Sequence, residues 1–125
     1  MLNYIKFTNL PVINQNRAVR FYRDRLGMRI LQNTPYKRDW RWIELGIPGA
    51  ETAIVMVRRG NLAPTDLPAL VLAVDDVQTT FEELQAKGVH FTQGPRPAPW
   101  NPEEWFALFR DSEGNTVLIG SSYHE

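Results

Sequence analysis

The chain has no cysteine, which excludes disulfides, thiolate metal sites and cysteine nucleophiles. Histidine is scarce, with only His90 and His124. Net charge is missing as well: 14 Lys and Arg balance 14 Asp and Glu, so the total does not favour nucleic acid or an anionic membrane. No segment approaches the ~20 apolar residues of a membrane span. The opening residues, Met1 to Lys6, lack the apolar core of a signal peptide. The glycines are scattered turn residues and form no phosphate-binding loop. A cytoplasmic protein with no nucleic-acid partner and no membrane partner is expected.

What remains is an ordinary globular composition. The 125 residues, 43% hydrophobic and 22% charged, suit a single domain that can bury a core without staples. Four tryptophans, Trp40, Trp42, Trp100 and Trp105, stand out in so short a chain, because indoles are large, stiff surfaces suited to cores or to flat ligands. A basic stretch, Arg17, Arg20, Arg23, Arg25 and Arg29, reads as a solvated helix face, with phosphate binding as the sharper alternative.

Periodicity and punctuation divide the chain into short elements. Tyr4 to Asn9 reads as a strand ended by Pro11. Asn14 is a candidate N-cap for a helix over Gln15 to Leu26, with Ala18, Phe21, Tyr22 and Leu26 at helical spacing and Gly27 as its stop. Strands follow at Met28 to Asn33, Trp40 to Ile47 and Thr52 to Arg58, the last two joined by a Pro48-Gly49 turn. After a linker, about 59–68, the order returns. It runs as a strand at Ala69 to Val74, a helix over Val77 to Lys87 capped by Asp75 or Asp76, and a stop at Gly88. Then come a strand at Val89 to Gln93, a proline-rich loop over Gly94 to Pro102, and a hairpin of Glu104 to Arg110 with Thr116 to Ser121.

The two halves superpose by counting. A shift of 64 positions carries Trp42 onto Phe106, Leu45 onto Phe109 and Ile54 onto Leu118. A shift of 62 carries Phe7 onto Ala69 and Asn14 onto Asp76, one cap onto another. Against this frame, Val12-x-Asn14-x-x-x-Ala18-x-x-Phe21-Tyr22-x-x-x-Leu26-Gly27 resembles the first-helix signature of the vicinal oxygen chelate superfamily, which includes the glyoxalases, bleomycin-resistance proteins and extradiol dioxygenases. Val74-Asp75-Asp76-Val77 resembles the start of its second helix, and Asp111-Ser112-Glu113-Gly114-Asn115 its turn before the last strand. Asn14 and Ser112 depart from the usual Asp and Pro. The resemblance spans essentially the whole chain. It implies an α+β fold of tandem βαβββ modules, the first about 1–58 and the second about 69–121, forming a curved mixed sheet around a cavity with the helices outside. It also implies a homodimer.

Metal-dependent members place four His, Glu or Gln ligands in that cavity, from the first and fourth strands of each half. The family motif puts three of them here at Phe7, Ala69 and Leu118, and the 64-position shift gives Ile54 as the partner of Leu118; all four are apolar and none can hold a divalent metal. The resemblance is therefore to a branch without the metal site, and no metal and no cofactor are expected. His90, between Val89 and Phe91, reads as a structural or surface residue rather than a ligand, and His124 lies near the chain end. Ser121-Ser122 beside His124 has no orienting acid and reads as no nucleophile.

Strand alternation would put Ile5, Met56, Val71 and Ala73 on the cavity side with those four positions. Met56, Val71 and the four make a candidate ligand-binding set with Trp40, Trp42, Trp100 and Trp105. Parity keeps Trp105 from sharing a role with both Trp40 and Trp42, and each tryptophan has filling of the core or an interface as its plain alternative. Trp100, between Pro99 and the Asn101-Pro102 pair, is presented stiffly, as in a lid or an interface. Arg41 and Glu44 are polar candidates at the mouth, or a solvated pair. The reading that follows is metal-independent binding or sequestration of a small aromatic or cationic molecule in an apolar pocket. The absence of ligands argues against an enzyme. One alternative is a lyase or isomerase with a relocated metal site or metal-free acid–base chemistry. Another is a dimeric interaction module with its cavity filled.

Overall fold

The computed structural model of the protein describes residues 1–61 and 63–122; His124 lies outside the described residues. The chain divides into two compact units, Met1–Ala63 and Pro64–Glu125. Unit 1 contains β1 (Phe7–Val12), α1 (Gln15–Arg20), a π-helical turn (Phe21–Arg25), β2 (Arg29–Lys37), β3 (Trp40–Gly46) and β4 (Ala53–Arg58). Unit 2 contains β5 (Pro68–Val74), α2 (Val77–Ala86), β6 (Phe91–Ala98), β7 (Asn101–Arg110) and β8 (Thr116–Ser121). Each unit forms a four-stranded mixed sheet, in the orders β1-β4-β3-β2 and β5-β8-β7-β6. In each, the first and last strands run parallel and the rest antiparallel. The α+β class and the twofold βαβββ design are as expected.

Local chemistry explains the helix boundaries. The Asn14 carboxamide oxygen accepts the Arg17 N–H at 3.0 Å, and the Asp76 carboxylate accepts the Thr79 N–H at 2.9 Å. Each satisfies a donor that the first helical turn leaves orphaned. Of the two aspartates offered by the sequence, Asp76 is the cap. Gly27 and Gly88 end the helical segments at φ of 75° and 85°, a conformation that costs other residues a steric clash.

Four strands differ from expectation, three of them for one reason; the fourth, β7, starts three residues early at Asn101 and carries Pro102 ahead of its pairing with β8. Pro11 lies inside β1, Pro35 inside β2, and Pro95 and Pro97 inside β6. All three are edge strands, where the missing N–H can face away from the ladder. The expected proline-rich loop is thus mostly strand, reduced to a tight Pro99-Trp100 connection, and β2 runs four residues beyond Asn33 to Lys37. Register shifts in β2 and β6 accommodate the prolines.

Register also fixes which side chains share a face. In unit 2, Val117 and Ile119 pair with Phe109 and Ala107, and α2 covers this side through Phe81 on Phe91 and Phe91 on Phe109, with ring centroids 4.6 and 5.3 Å apart. In unit 1 the equivalent face carries Leu10 beside Met56 and Ile54 beside Leu45. All of these except the half-buried Phe81 and Phe91 are buried, and full burial of each such side chain contributes about 1.5–3 kcal/mol. These helix-side faces carry the larger part of each unit's core. The opposite faces carry Phe7, Asn9, Trp42, Glu44 and Val55 in unit 1, and Val71, Ala73, Phe106, Leu108, Leu118 and Gly120 in unit 2.

The count across the repeat needs one adjustment. Gly46 pairs with Ala53, whereas Arg110 pairs with Thr116. The β3–β4 connection is therefore one residue longer than β7–β8. The residue matching Leu118 is Val55 and not Ile54, so Ile54 and Met56 fall on the helix side, away from Phe7. The longer connection turns at Pro48-Gly49. The shorter one is built on the buried Asp111 carboxylate, which accepts the Glu113 and Asn115 N–H groups at 2.8 Å each and the Asn115 side-chain amide at 3.0 Å.

Candidate functional site

Unit 2 holds an apolar pocket of about 430 Å³ lined by Val71, Leu72, Ala73, Leu118, Gly120 and Ser121 from β5 and β8, with Trp100, Glu104 and Trp105. Trp100 stands where β6 turns into β7 and is 61% exposed. Its ring leans on Phe106 at a centroid distance of 5.2 Å, and its indole N–H donates to Glu104 Oε2 at 2.9 Å. Both contacts hold the indole in place, so stacking against it costs little further ordering. Phe106 belongs to a buried cluster with Ala98 and Leu118, against which Leu108 packs. This wall is apolar, and among the described residues Glu104 is the one ionisable group lining it. Ser121 braces the strand beside it: the Trp105 N–H donates to Ser121 Oγ at 2.9 Å.

Unit 1 holds a different pocket, of about 630 Å³, lined by Tyr36, Lys37, Arg38, Trp40, Trp42, Met56, Val57 and Arg58. It sits at the β2–β3 hairpin, whose tight turn places Asp39 at φ 59°, a conformation Asp tolerates better than most residues. The Trp40 indole donates to the Met56 carbonyl at 3.3 Å, and the Arg58 guanidinium lies 4.5 Å from the Trp40 ring. Trp42 makes edge contacts with Tyr36 and Phe7 at 5.2 and 5.8 Å, and its N–H donates to Glu44 Oε2 at 2.7 Å. Each unit thus fixes one indole by a nearby carboxylate.

The sequence-derived candidates fall into these two places. Val71, Trp100, Trp105 and Leu118 line the unit 2 pocket. Trp40, Trp42 and Met56 line the unit 1 pocket. Phe7 stands beside Trp42 without lining that pocket. Ile54 is buried on the helix side, and Ala69 falls at the register shift between Pro68 and Leu70. Arg41 and Glu44 form no pair: Arg41 holds Asn33, while Glu44 holds the Trp42 indole. Sequence reasoning missed Tyr36, Lys37, Arg38 and Arg58 as well as Glu104. The Lys37-Arg38 doublet before a tight turn was a usable signal; the approach of Arg58 to Trp40 depends on strand pairing and left none.

The four expected metal-ligand positions do not fit a metal. With the register corrected they are Phe7, Val55, Ala69 and Leu118, side chains with no donor atom. Among the described residues, no three His, Asp or Glu side chains gather in a way that could hold an ion. His90 is exposed, and its carbonyl accepts the Arg110 N–H. No helix among the described residues is long and apolar enough to cross a membrane.

Comparison with known proteins agrees with this architecture. Residues 4–119 match the Glyoxalase/Bleomycin resistance protein/Dioxygenase superfamily. The uncharacterised Bacillus subtilis protein YetH is 26% identical over 121 residues, covering 95% of this chain and 98% of its own. Among solved structures, TnmS3, an antibiotic binding protein from Streptomyces sp. CB03234, is 29% identical with a TM-score of 0.81, covering 98% of each chain. A superfamily member from Sphaerobacter thermophilus has a TM-score of 0.84 at 22% identity, covering 97% of this chain and 98% of its own, a likeness of fold alone.

Proposed function

Since the chain belongs to the glyoxalase/bleomycin resistance protein/dioxygenase superfamily, we propose that it serves there as a metal-independent binding protein for a small aromatic molecule. The observation that carries this reading is the Trp100 indole, fixed by Glu104 and Phe106 beside the apolar pocket of Val71, Ala73 and Leu118. A rigid aromatic wall over an apolar floor, with one convergent polar group, is the usual build of a small-molecule site. The likeness to an antibiotic binding protein supports a small-molecule ligand. The apolar residues at the superfamily's ligand positions support binding without a metal. A catalytic reading rests on one group, the Glu104 carboxylate, which is already engaged by the Trp100 indole. A homodimer is part of the proposal, and light scattering in solution checks it.

The test is calorimetric titration of neutral polycyclic aromatics into the wild type and into Trp100→Ala. Loss of the stacking wall weakens binding by about tenfold. Equal affinity in both proteins, or no binding of any member of the panel, would remove the reading.

A further inference from the structure

The unit 1 pocket has a charge character that the proposal above does not use. Three of its lining residues are cations, Lys37, Arg38 and Arg58, and none is acidic. All three are exposed, and among the described residues none forms an ion pair with a carboxylate. Lys37 rests its ammonium 5.2 Å from the Tyr36 ring. Arg58 donates to the Asp39 carbonyl at 3.3 Å while stacking over Trp40. These contacts position two of the cations and leave their charge unneutralised. The rings behind them supply an apolar corner, with Tyr36 and Trp42 meeting edge to face at 73°, and the indole N–H groups of Trp40 and Trp42 are already satisfied within the chain.

We propose that this pocket binds an aromatic anion: a flat ring system seated in the corner between Tyr36 and Trp42, with its face on one ring and its edge on the other, whose carboxylate, sulfonate or phosphate lies among Lys37, Arg38 and Arg58. The proposal rests on the small-molecule reading above and narrows its ligand class for this unit. A cationic ligand is disfavoured here for two reasons. It would meet three like charges, and it would have to displace Arg58 from the Trp40 face, where a cation–π contact is already made. An anion replaces solvent around the guanidinium groups with charge-assisted hydrogen bonds, for which arginine offers a planar fork.

Three matched probes test this: 2-naphthoate, the neutral 2-naphthalenemethanol and the cationic 2-naphthylmethylammonium. They are titrated calorimetrically into wild type, into Trp100→Ala to remove the other pocket's wall, and into Trp100→Ala carrying K37Q, R38Q and R58Q. These cations are exposed, so the substitutions leave the core untouched. In Trp100→Ala, 2-naphthoate is expected to bind at least about tenfold more tightly than the alcohol, as charge-assisted bonds require. Raised salt weakens it, and the preference disappears with the three cations. Naphthoate binding no tighter than the alcohol, an equally tight cation, or a preference that survives the triple substitution would overturn the inference while leaving the binding reading intact. No binding of any probe, even to the wild type, would overturn both.

Discussion

Unit 1 lines its pocket with Tyr36, Trp40 and Trp42 and edges it with three cations; unit 2 lines its own with Trp100, Trp105 and aliphatic residues around a single carboxylate. The strands that carry these side chains pair in the same order and the same senses in both units. The caps at Asn14 and Asp76 are equivalent, as are the left-handed glycines at 27 and 88. One backbone design therefore tolerates two unlike chemistries. The helix-side faces carry most of the apolar burial, and the opposite faces bury Val55, Phe106 and Leu118 as well, which leaves the hairpin tips and the exposed positions of those faces free to vary.

The sharpest break in the comparison lies at the turns. Asp111→Ala leaves three hydrogen-bond donors without their acceptor in a buried turn, and should cost about 3 kcal/mol in chemical denaturation. Pro48→Ala in the corresponding turn of unit 1 should cost less than about 1 kcal/mol. Equal losses would mean that the two connections are held in the same way. Next in size, Met56→Ala removes a side chain that is 2% exposed on the helix-side face, and should cost about 2–4 kcal/mol. Val71→Ala, at a position 64% exposed on the opposite face of unit 2, should lie within about 0.5 kcal/mol of wild type. A reversal would put the Met56 side chain on the face of Val55 and undo the register. Where the units agree, Asn14→Ala and Asp76→Ala should each cost about 1 kcal/mol by the same unfolding measurement; a large difference between them would show that the two caps are unequal.

The smallest effect belongs to an exposed pair. The Arg23 guanidinium, hydrogen-bonded to Asp24 at 2.8 Å, holds that carboxyl below its ordinary range. A lowered folded-state pKa adds stability above the unfolded value, and that stability is lost as pH falls through the folded one. Asp24→Asn should therefore lower the melting temperature only slightly near neutrality, and the difference from wild type should vanish as pH falls through the carboxyl's lowered range, which flattens the acid dependence. The pair is fully solvated, which keeps the contribution small.

Much of this was legible in the sequence because it is written in local signals. The caps, the glycine stops, the Asp111 turn and the twofold order of elements each depend on a few adjacent residues. The register of β4 was not legible. One extra residue in the connection around Pro48-Gly49 moves Val55 into the place assigned to Ile54, and only pairing with β3 reveals it. The strand prolines misled for a related reason: Pro11, Pro35, Pro95 and Pro97 break a central strand but fit an edge, and edge position is a property of the assembled sheet. Parity set Trp105 apart from Trp40 and Trp42 without deciding which faces a pocket, and the structure has all three lining one or the other. Parity could not place Arg58 over Trp40, a contact between β4 and the first residue of β3.

The most direct test of the central claim is a fluorescence titration of the wild type with a neutral aromatic ligand, run once in EDTA and once with added Ni, Zn, Mn or Fe(II). Saturable quenching with the same midpoint in every condition is the predicted result, because Phe7, Val55, Ala69 and Leu118 offer a metal nothing to bind. Quenching that vanishes in EDTA and returns with one of the metals would contradict the account and point to a metal-dependent site elsewhere in the chain.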